Sequence, residues 1–439
     1  PIYVSPDHVE IYANILEWNS PEPVSYRNDK GVYSPSLSAD GKYVSFNSKS
    51  GLAPGSNNVR KNIYTVNRES KDIEVSSIPN RYNQNYQQAN ADSGSPVISN
   101  DADLIAFSSK ASNIVDNDSN NLQDVFLHRR STSETYRLSV SHYGEEGNKT
   151  SSKPDISADG NYVVFISDAS NLVNDGNTNT RNIFIHNTRN KRLSRVNIES
   201  SGIDGLRVPN WPSVSDNGNY IAFSAKTNAY YTVYLWDRNT ASAKQISISE
   251  NQDGSPAKDA IVPKISDDAR YITYTLNNNN VYLYDTQSEE TELISTGINH
   301  EVANGSSYAP SISADGRYVV YTSYASNLIE NDTNGFADIF VYDSINKTTR
   351  RVNKGVGGFQ AKNHCTNPTI SADGNTIAYQ SIAHNLDIDP VNLISSGYRN
   401  EVIDIFFEGN PFTTESTKEI DLSIEKTASS SEIEIGNNV

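Results

Sequence analysis

One phrase occurs seven times along the chain, and this repetition constrains the fold more than any other feature. It reads PSLSADGKYVSFNS (35–48), PVISNDADLIAFSS (96–109), PDISADGNYVVFIS (154–167), PSVSDNGNYIAFSA (212–225), PKISDDARYITYTL (263–276), PSISADGRYVVYTS (310–323) and PTISADGNTIAYQS (368–381). The serine in fourth place falls at Ser38, Ser99, Ser157, Ser215, Ser266, Ser313 and Ser371, in steps of 61, 58, 58, 51, 47 and 58 residues. A period of this size marks a repeat architecture, in which each unit is one small element that cannot bury its own apolar faces.

Each phrase reads as two strands joined by a tight turn. Asp40-Gly41, Asp159-Gly160, Asp315-Gly316 and Asp373-Gly374 supply the positive φ that a short hairpin needs. After the turn, side chains alternate, as in Tyr318, Val320 and Thr322 against Val319 and Tyr321. A third strand follows at a variable distance: NIYTVN (62–67), DVFLHR (124–129), NIFIHN (182–187), TVYLWD (232–237), NVYLYD (280–285), DIFVYD (338–343) and DIFFEG (404–409). A fourth, short strand closes each unit except the last: IEVSSI, YRLSVS, LSRVNI, AKQISI, TELIST and RRVNKG. Four strands at this period predict an all-β fold, a seven-bladed β-propeller of four-stranded antiparallel blades. The last unit lacks a fourth strand, and Pro23-Val24-Ser25-Tyr26-Arg27 precedes the first phrase as the other fourth strands precede theirs. The N-terminal strand is therefore expected to complete blade seven and close the ring, removing two exposed edges.

The repeats resemble the TolB-like propeller repeat, in particular a secreted bacterial subgroup whose units read S-x-S-x-D-G-x-Y-V, then S-N-L, then D-T-N-G-x-x-D-I-F-V-Y-D. Ser311 to Asp343 follows that pattern almost throughout. The resemblance covers about residues 22–409 and implies fold far more than function, since propellers host binding, scaffolding and catalysis alike. Four segments result: an N-terminal extension (1–21), the propeller (22–409), a polar linker (410–420) and DLSIEKTASSSEIEIGNNV (421–439). The last is similar to the opening of an Ig-like repeat of bacterial and archaeal surface proteins. It implies that the chain is part of a longer multi-repeat protein, and the plain alternative is a polar tail.

Composition narrows the partners. The 439 residues carry a net charge of −17, which repels a phosphate backbone and argues against nucleic acid. Mean hydropathy is −0.60, and no apolar run approaches the ~20 residues of a membrane-spanning helix. Cys365 is the single cysteine, so no internal disulfide is possible, and the 26 tyrosines suit half-exposed strands. The chain contains no methionine, even at position 1, which implies processing or excision from a longer precursor.

Two links between second and third strands share a spacing of oxygen-bearing side chains. One places Asp116, Asp118, Asn120 and Asp124 at positions 1, 3, 5 and 9; the other places Glu330, Asp332, Asn334 and Asp338 there. Such a loop suits Ca²⁺, which takes six to eight oxygens. The bidentate Glu of an EF-hand is missing, because position 12 is strand (Leu127, Val341). The competing reading is an Asx-turn network in which Asp124 and Asp338 fix the start of strand three. Blades one (Pro54, Ser56, Asn58, Asn62) and three (Asn174, Gly176, Thr178, Asn182) are poorer in charge, and Asp387 with Asp389 is a weaker candidate. The Ser and Asp of S-x-D-G read as structural. His128 and His186 occupy equivalent strand-three positions, which repeat equivalence explains. His142, His300 and His364 lie on connections between blades, without metal-ligand spacing. Tyr82 and Tyr86 sit in a link rich in Asn and Gln.

No G-x-S-x-G elbow, H-E-x-x-H or P-loop occurs. The expected function is an extracellular or cell-surface binding or structural module that presents its loop-rich face to a protein or glycan. The alternatives are a propeller enzyme, such as a polysaccharide lyase using His300 or His364, and a periplasmic TolB-like partner of an envelope complex.

Overall fold

The computed structural model describes residues 22–23, 32–49, 51–53, 59–79, 89–174, 181–196, 198, 207–227, 230–248, 258–277, 279–355, 358–383, 385–386 and 404–413. Among them, strands fall into seven four-stranded antiparallel sheets and no α-helix is present. After β1 (Glu22–Pro23), blade one comprises β2 (Val32–Leu37), β3 (Tyr43–Ser48), β4 (Asn62–Asn67) and β5 (Ile73–Val75). Blade two comprises β6 (Ser93–Ile98), β7 (Leu104–Ser109), β8 (Asp124–Arg129) and β9 (Glu134–Arg137). Blade three has β10 (Ser151–Ile156), β11 (Tyr162–Ser167), β12 (Asn182–Asn187) and β13 (Arg192–Arg195). Blade four has β14 (Arg207–Val214), β15 (Tyr220–Thr227), β16 (Tyr230–Asp237) and β17 (Ser242–Gln245). Blade five has β18 (Ala260–Ile265), β19 (Tyr271–Leu276), β20 (Asn280–Asp285) and β21 (Glu290–Leu293). Blade six has β22 (Ser307–Ile312), β23 (Tyr318–Ser323), β24 (Asp338–Asp343) and β25 (Thr348–Arg351). Blade seven has β26 (Cys365–Ile370), β27 (Thr376–Ser381) and β28 (Asp404–Gly409), and β1 is its outer strand, with Glu22 opposite Phe407 and Pro23 opposite Phe406. The expected closure is therefore seen at residues 22 and 23, one residue earlier than the sequence indicates, while 24–27 lie outside the described residues.

The core repeats with the sequence. In each blade one aromatic of the second strand stacks on its cross-strand partner in the third. The pairs are Phe46–Tyr64, Phe107–Phe126, Phe165–Phe184, Phe223–Tyr234, Tyr274–Tyr282, Tyr321–Phe340 and Tyr379–Phe406, with ring centroids 5.6 to 6.1 Å apart. Such pairs add roughly 0.5–1.5 kcal/mol each beyond the area they bury. Apolar clusters join each blade to the next, as where Val164, Ile166 and Ile183 of blade three pack with Val214, Ile221 and Phe223 of blade four.

The anchor serines hold the hairpin turns. Ser313 Oγ donates to Asp315 Oδ1 (2.6 Å) and accepts from Tyr318 N–H (3.0 Å), and the same pair of bonds forms at Ser38 and Ser371. Glycine is required beside Asp315 on two counts. Gly316 has φ +73°, and a Cβ there would lie 2.1 Å from the Tyr271 ring of blade five.

The first strands of successive blades touch all the way round, from β2–β6 to β26–β2, so they line the axis. One end of that axis carries a belt of hydrogen bonds between blades. Ala39 N–H donates to Asn100 O, Asn100 to Ala158, Asp216 to Asp267, Asp267 to Ala314 and Ala314 to Ala372, at 3.0 to 3.1 Å. Asp373 N–H to Ala39 O (3.0 Å) joins blade seven to blade one. Asp159 N–H to Asp216 Oδ1 (2.9 Å) joins three to four. The hairpin turns lie at this end. The links between second and third strands and the connections between blades lie at the other.

Candidate functional site

All seven innermost strands carry the same irregularity. The residue before the proline has positive φ: Ser34, Ser95, Lys153, Trp211, Val262, Ala309 and Asn367, between +47° and +57°. Each lies where the register between first and second strands shifts. A bulge leaves an unpaired backbone position, and proline, which has no N–H to satisfy, follows at no cost to the ladder. The bulge residues form one ring at the channel wall. In five blades they are small or aliphatic or Asn; in two adjacent blades they are Lys153 and Trp211.

That pair begins a sector spanning blades three to five. Lys153 Nζ sits 4.1 Å from the Trp211 ring centroid and donates to Asn210 Oδ1 at 2.9 Å. Trp211 meets Tyr231 edge-on, with centroids 5.5 Å apart. Lys226 Nζ lies 4.9 Å over Tyr231, and Lys258 Nζ lies 5.7 Å over Tyr230. Arg181 pairs with Asp168 at 3.0 Å. Below them in the channel Lys264 meets Asp155 at 3.2 Å, and Asp216 and Asp267 stand at the belt. Burial pushes Asp267 up to about 6, against a hydrogen bond from Asn100 and with Asp216 nearby. Blade four presents this sector because β15 and β16 each run eight residues, where their counterparts run six. The extra pair raises the hairpin by roughly 6–7 Å. Residues 228–231 look like a short link in the sequence, yet Tyr230 and Tyr231 are strand.

A second aromatic group stands on blades six and seven. Tyr308 and Tyr324 stack at 6.3 Å, and the His364 ring meets Tyr324 at 5.4 Å and Phe336 at 5.2 Å. Tyr324 is 45% exposed. His364 Nδ1 accepts from Ala337 N–H at 3.0 Å, which leaves its ring proton on Nε2. His142 and His300 sit in turns of other connections; His142 meets only the neighbouring Tyr143 edge-on at 5.4 Å among the ring contacts of the described residues.

The two acidic loops close around an arginine. Arg137 Nη1, from β9, lies 3.2 Å from Asp118 Oδ1, 3.7 Å from Asp124 Oδ2 and 2.7 Å from Glu146 Oε1. Arg351 Nη1, from β25, lies 3.3 Å from Asp332 Oδ1 and 3.4 Å from Asp338 Oδ2. Asn120 and Asn334 donate to Asp124 and Asp338. Ser139 and Asn353 donate to the same two carboxylates. Asp116 and Glu330 are exposed. The structure thus brings together positions 3, 5 and 9 of each loop, but not position 1. Burial dominates the charge balance: it pushes Asp118 up to about 6 despite Arg137, with Asp124 and Glu146 adding repulsion, and Asp124, Asp332 and Asp338 are raised likewise. Among the described residues no group of three His, Cys, Asp or Glu is placed to hold a metal ion. The arginines escaped the loop-by-loop reading. The repeat carries part of a signal: in blades two and six, where position 9 is Asp, the fourth strand has Arg137 and Arg351, and blades one, four and five have Val75, Gln245 and Leu293 there, but blade three has Arg195 with Asn182 at position 9.

His128 and His186 are buried in strand three, as repeat equivalence implies. Residues 54–58, 175–180, Tyr82, Tyr86, Asp387, Asp389, 1–21 and 421–439 lie outside the described residues.

No protein-family model matches the sequence, and no curated protein matches it. Solved structures do. An oligogalacturonate lyase in complex with manganese is 12% identical, with a TM-score of 0.53 over 89% of this chain and 92% of that one. The oligogalacturonate lyase of Vibrio parahaemolyticus is 13% identical, with a TM-score of 0.52 over 89% and 93%. TolB from Acinetobacter baumannii is 14% identical, with a TM-score of 0.39; the match covers 66% of this chain, which spans 58% of TolB. No helix among the described residues is long and apolar enough to cross a membrane. Identities this low speak to architecture alone, and with seven sheets packed face to face around one axis, the chain is a seven-bladed β-propeller.

Proposed function

We propose that the propeller is a binding module, at the cell surface or outside the cell, that receives a glycan or protein on its loop face. The observation that carries this reading is the difference between the two ends of the channel. The hairpin-turn end is drawn together by backbone hydrogen bonds from blade to blade. The loop end gathers partly exposed aromatic side chains in two sectors, around Trp211 and around Tyr324. Aromatic rings with a polar surround give contact area at low conformational cost and are the usual anchors of recognition.

Glycan-array and pull-down binding by the full chain, with Trp211→Ala and Tyr324→Ala beside it, tests the reading. At least one variant is expected to lose tenfold or more in affinity while its melting temperature holds. Full affinity in both variants would overturn the reading. So would formation of an unsaturated sugar product that disappears in His300→Ala or His364→Ala, which would establish the lyase alternative.

A further inference from the structure

We propose that the sector of blades three to five binds an acidic oligosaccharide, with the Lys153 ammonium as the contact for a sugar carboxylate. This deepens the binding reading above and rests on it. The argument begins with charge. The chain carries 53 acidic and 36 basic side chains, so a lysine beside the channel should find a carboxylate easily. Lys264 does. Lys153, Lys226 and Lys258 do not: among the described residues none forms an ion pair, and each instead lies over an aromatic ring, the first two over Trp211 and Tyr231, which meet each other, and Lys258 over Tyr230, on the opposite face of β16.

Holding an ammonium half-buried with no carboxylate costs stability unless something else compensates. An anionic ligand would do so. The bulge at Trp211 and the tall hairpin of blade four bring the Trp211 and Tyr231 rings together with the Lys153 and Lys226 ammoniums at the channel mouth. Sugars offer apolar ring faces to aromatic side chains and hydroxyl donors to carboxylates. Asp155 and Asp259 stand within the same sector, the latter accepting from Tyr231 N–H at 3.0 Å. Those acids can take hydroxyl hydrogens, of which an acidic sugar offers more per negative charge than a nucleic acid strand does, and this favours the sugar.

Burial and the nearby Arg181 push Lys153 down to about 8. The ammonium is present below that value, so affinity should fall as pH rises through about 8. Arg181 with its partner Asp168, the Asn210 amide and the Trp211 ring are the groups that face it.

The test is calorimetric titration of the full chain with tetragalacturonate and with its methyl-esterified form, which keeps the rings and removes the charge. The acid is expected to bind at least tenfold more tightly. Lys153→Met should abolish that preference, Lys153→Arg should restore most of it, and melting temperatures should confirm that both fold. Equal affinity for acid and ester, an unchanged preference in Lys153→Met, or equally tight binding of single-stranded DNA of the same charge would each overturn the inference. Binding of a neutral glycan or a protein at the loop face, without preference for the acid, would sink this inference alone and leave the binding module intact.

Discussion

Arg137 and Arg351 show how one side chain changes the meaning of a motif. Asp118 with Asp124, and Asp332 with Asp338, are spaced as cation ligands are, and they converge as such ligands would. A guanidinium already lies between them. It supplies the positive charge at those points, so a calcium ion would have to displace it, and calcium at these loops is a proposal in competition with the arginine. Removing one member of a buried pair strands the others, at about 3–5 kcal/mol. Arg351→Ala is therefore expected to cost about 3 kcal/mol in denaturant unfolding, while EDTA leaves the wild-type melting temperature where it was. A fall in EDTA that Ca²⁺ reverses would show instead that the cation enters and the arginine yields. The spacing of Asp118 and Asp124 was legible in the sequence. The partner was not, because it lies in another strand, and comparing repeats does not single it out, since blade three carries Arg195 at the same place beside Asn182.

At the scale of the strand, the regular parts could be read and the irregular ones could not. The repeated phrase and the Asp-Gly turn locate β23 and β24 to the residue, although both faces of these strands are buried between neighbouring blades, so that one-sided burial gives no period of two there. The bulges escaped for a physical reason. A residue before proline is expected to be extended, yet Lys153 and Trp211 have φ of +53° and +47°. Tertiary packing around the axis overrides local preference there, and the candidate site is built on that departure. Strand three carries a different consequence. His128 and His186 are buried at equivalent places, and loss of water pushes both down to about 4. The unfolded chain takes up protons near 6.5, so each histidine leaves stability intact above about 6.5 and withdraws it as pH falls toward 4. The loss is up to roughly 3 kcal/mol apiece. Acid unfolding followed by circular dichroism should show this limb, and His186→Leu should flatten part of it; an unchanged slope would mean that the ring is solvated in the fold.

For the whole molecule, the sevenfold phrase was enough to infer the architecture, because no single four-stranded sheet can bury both of its faces. The function was not legible to the same depth. It depends on which few residues interrupt the repeat, and repetition conceals them. The account as a whole rests on the ring being closed by β1 against β28, since an open seventh blade would expose an edge and loosen the channel wall that carries the site. Hydrogen exchange of the β27 and β28 amides, in the full chain and in a chain lacking residues 1–31, tests this most directly. The account predicts slow exchange at 404–409 in the full chain and at least tenfold faster exchange in the truncated one; equal protection in both would contradict it.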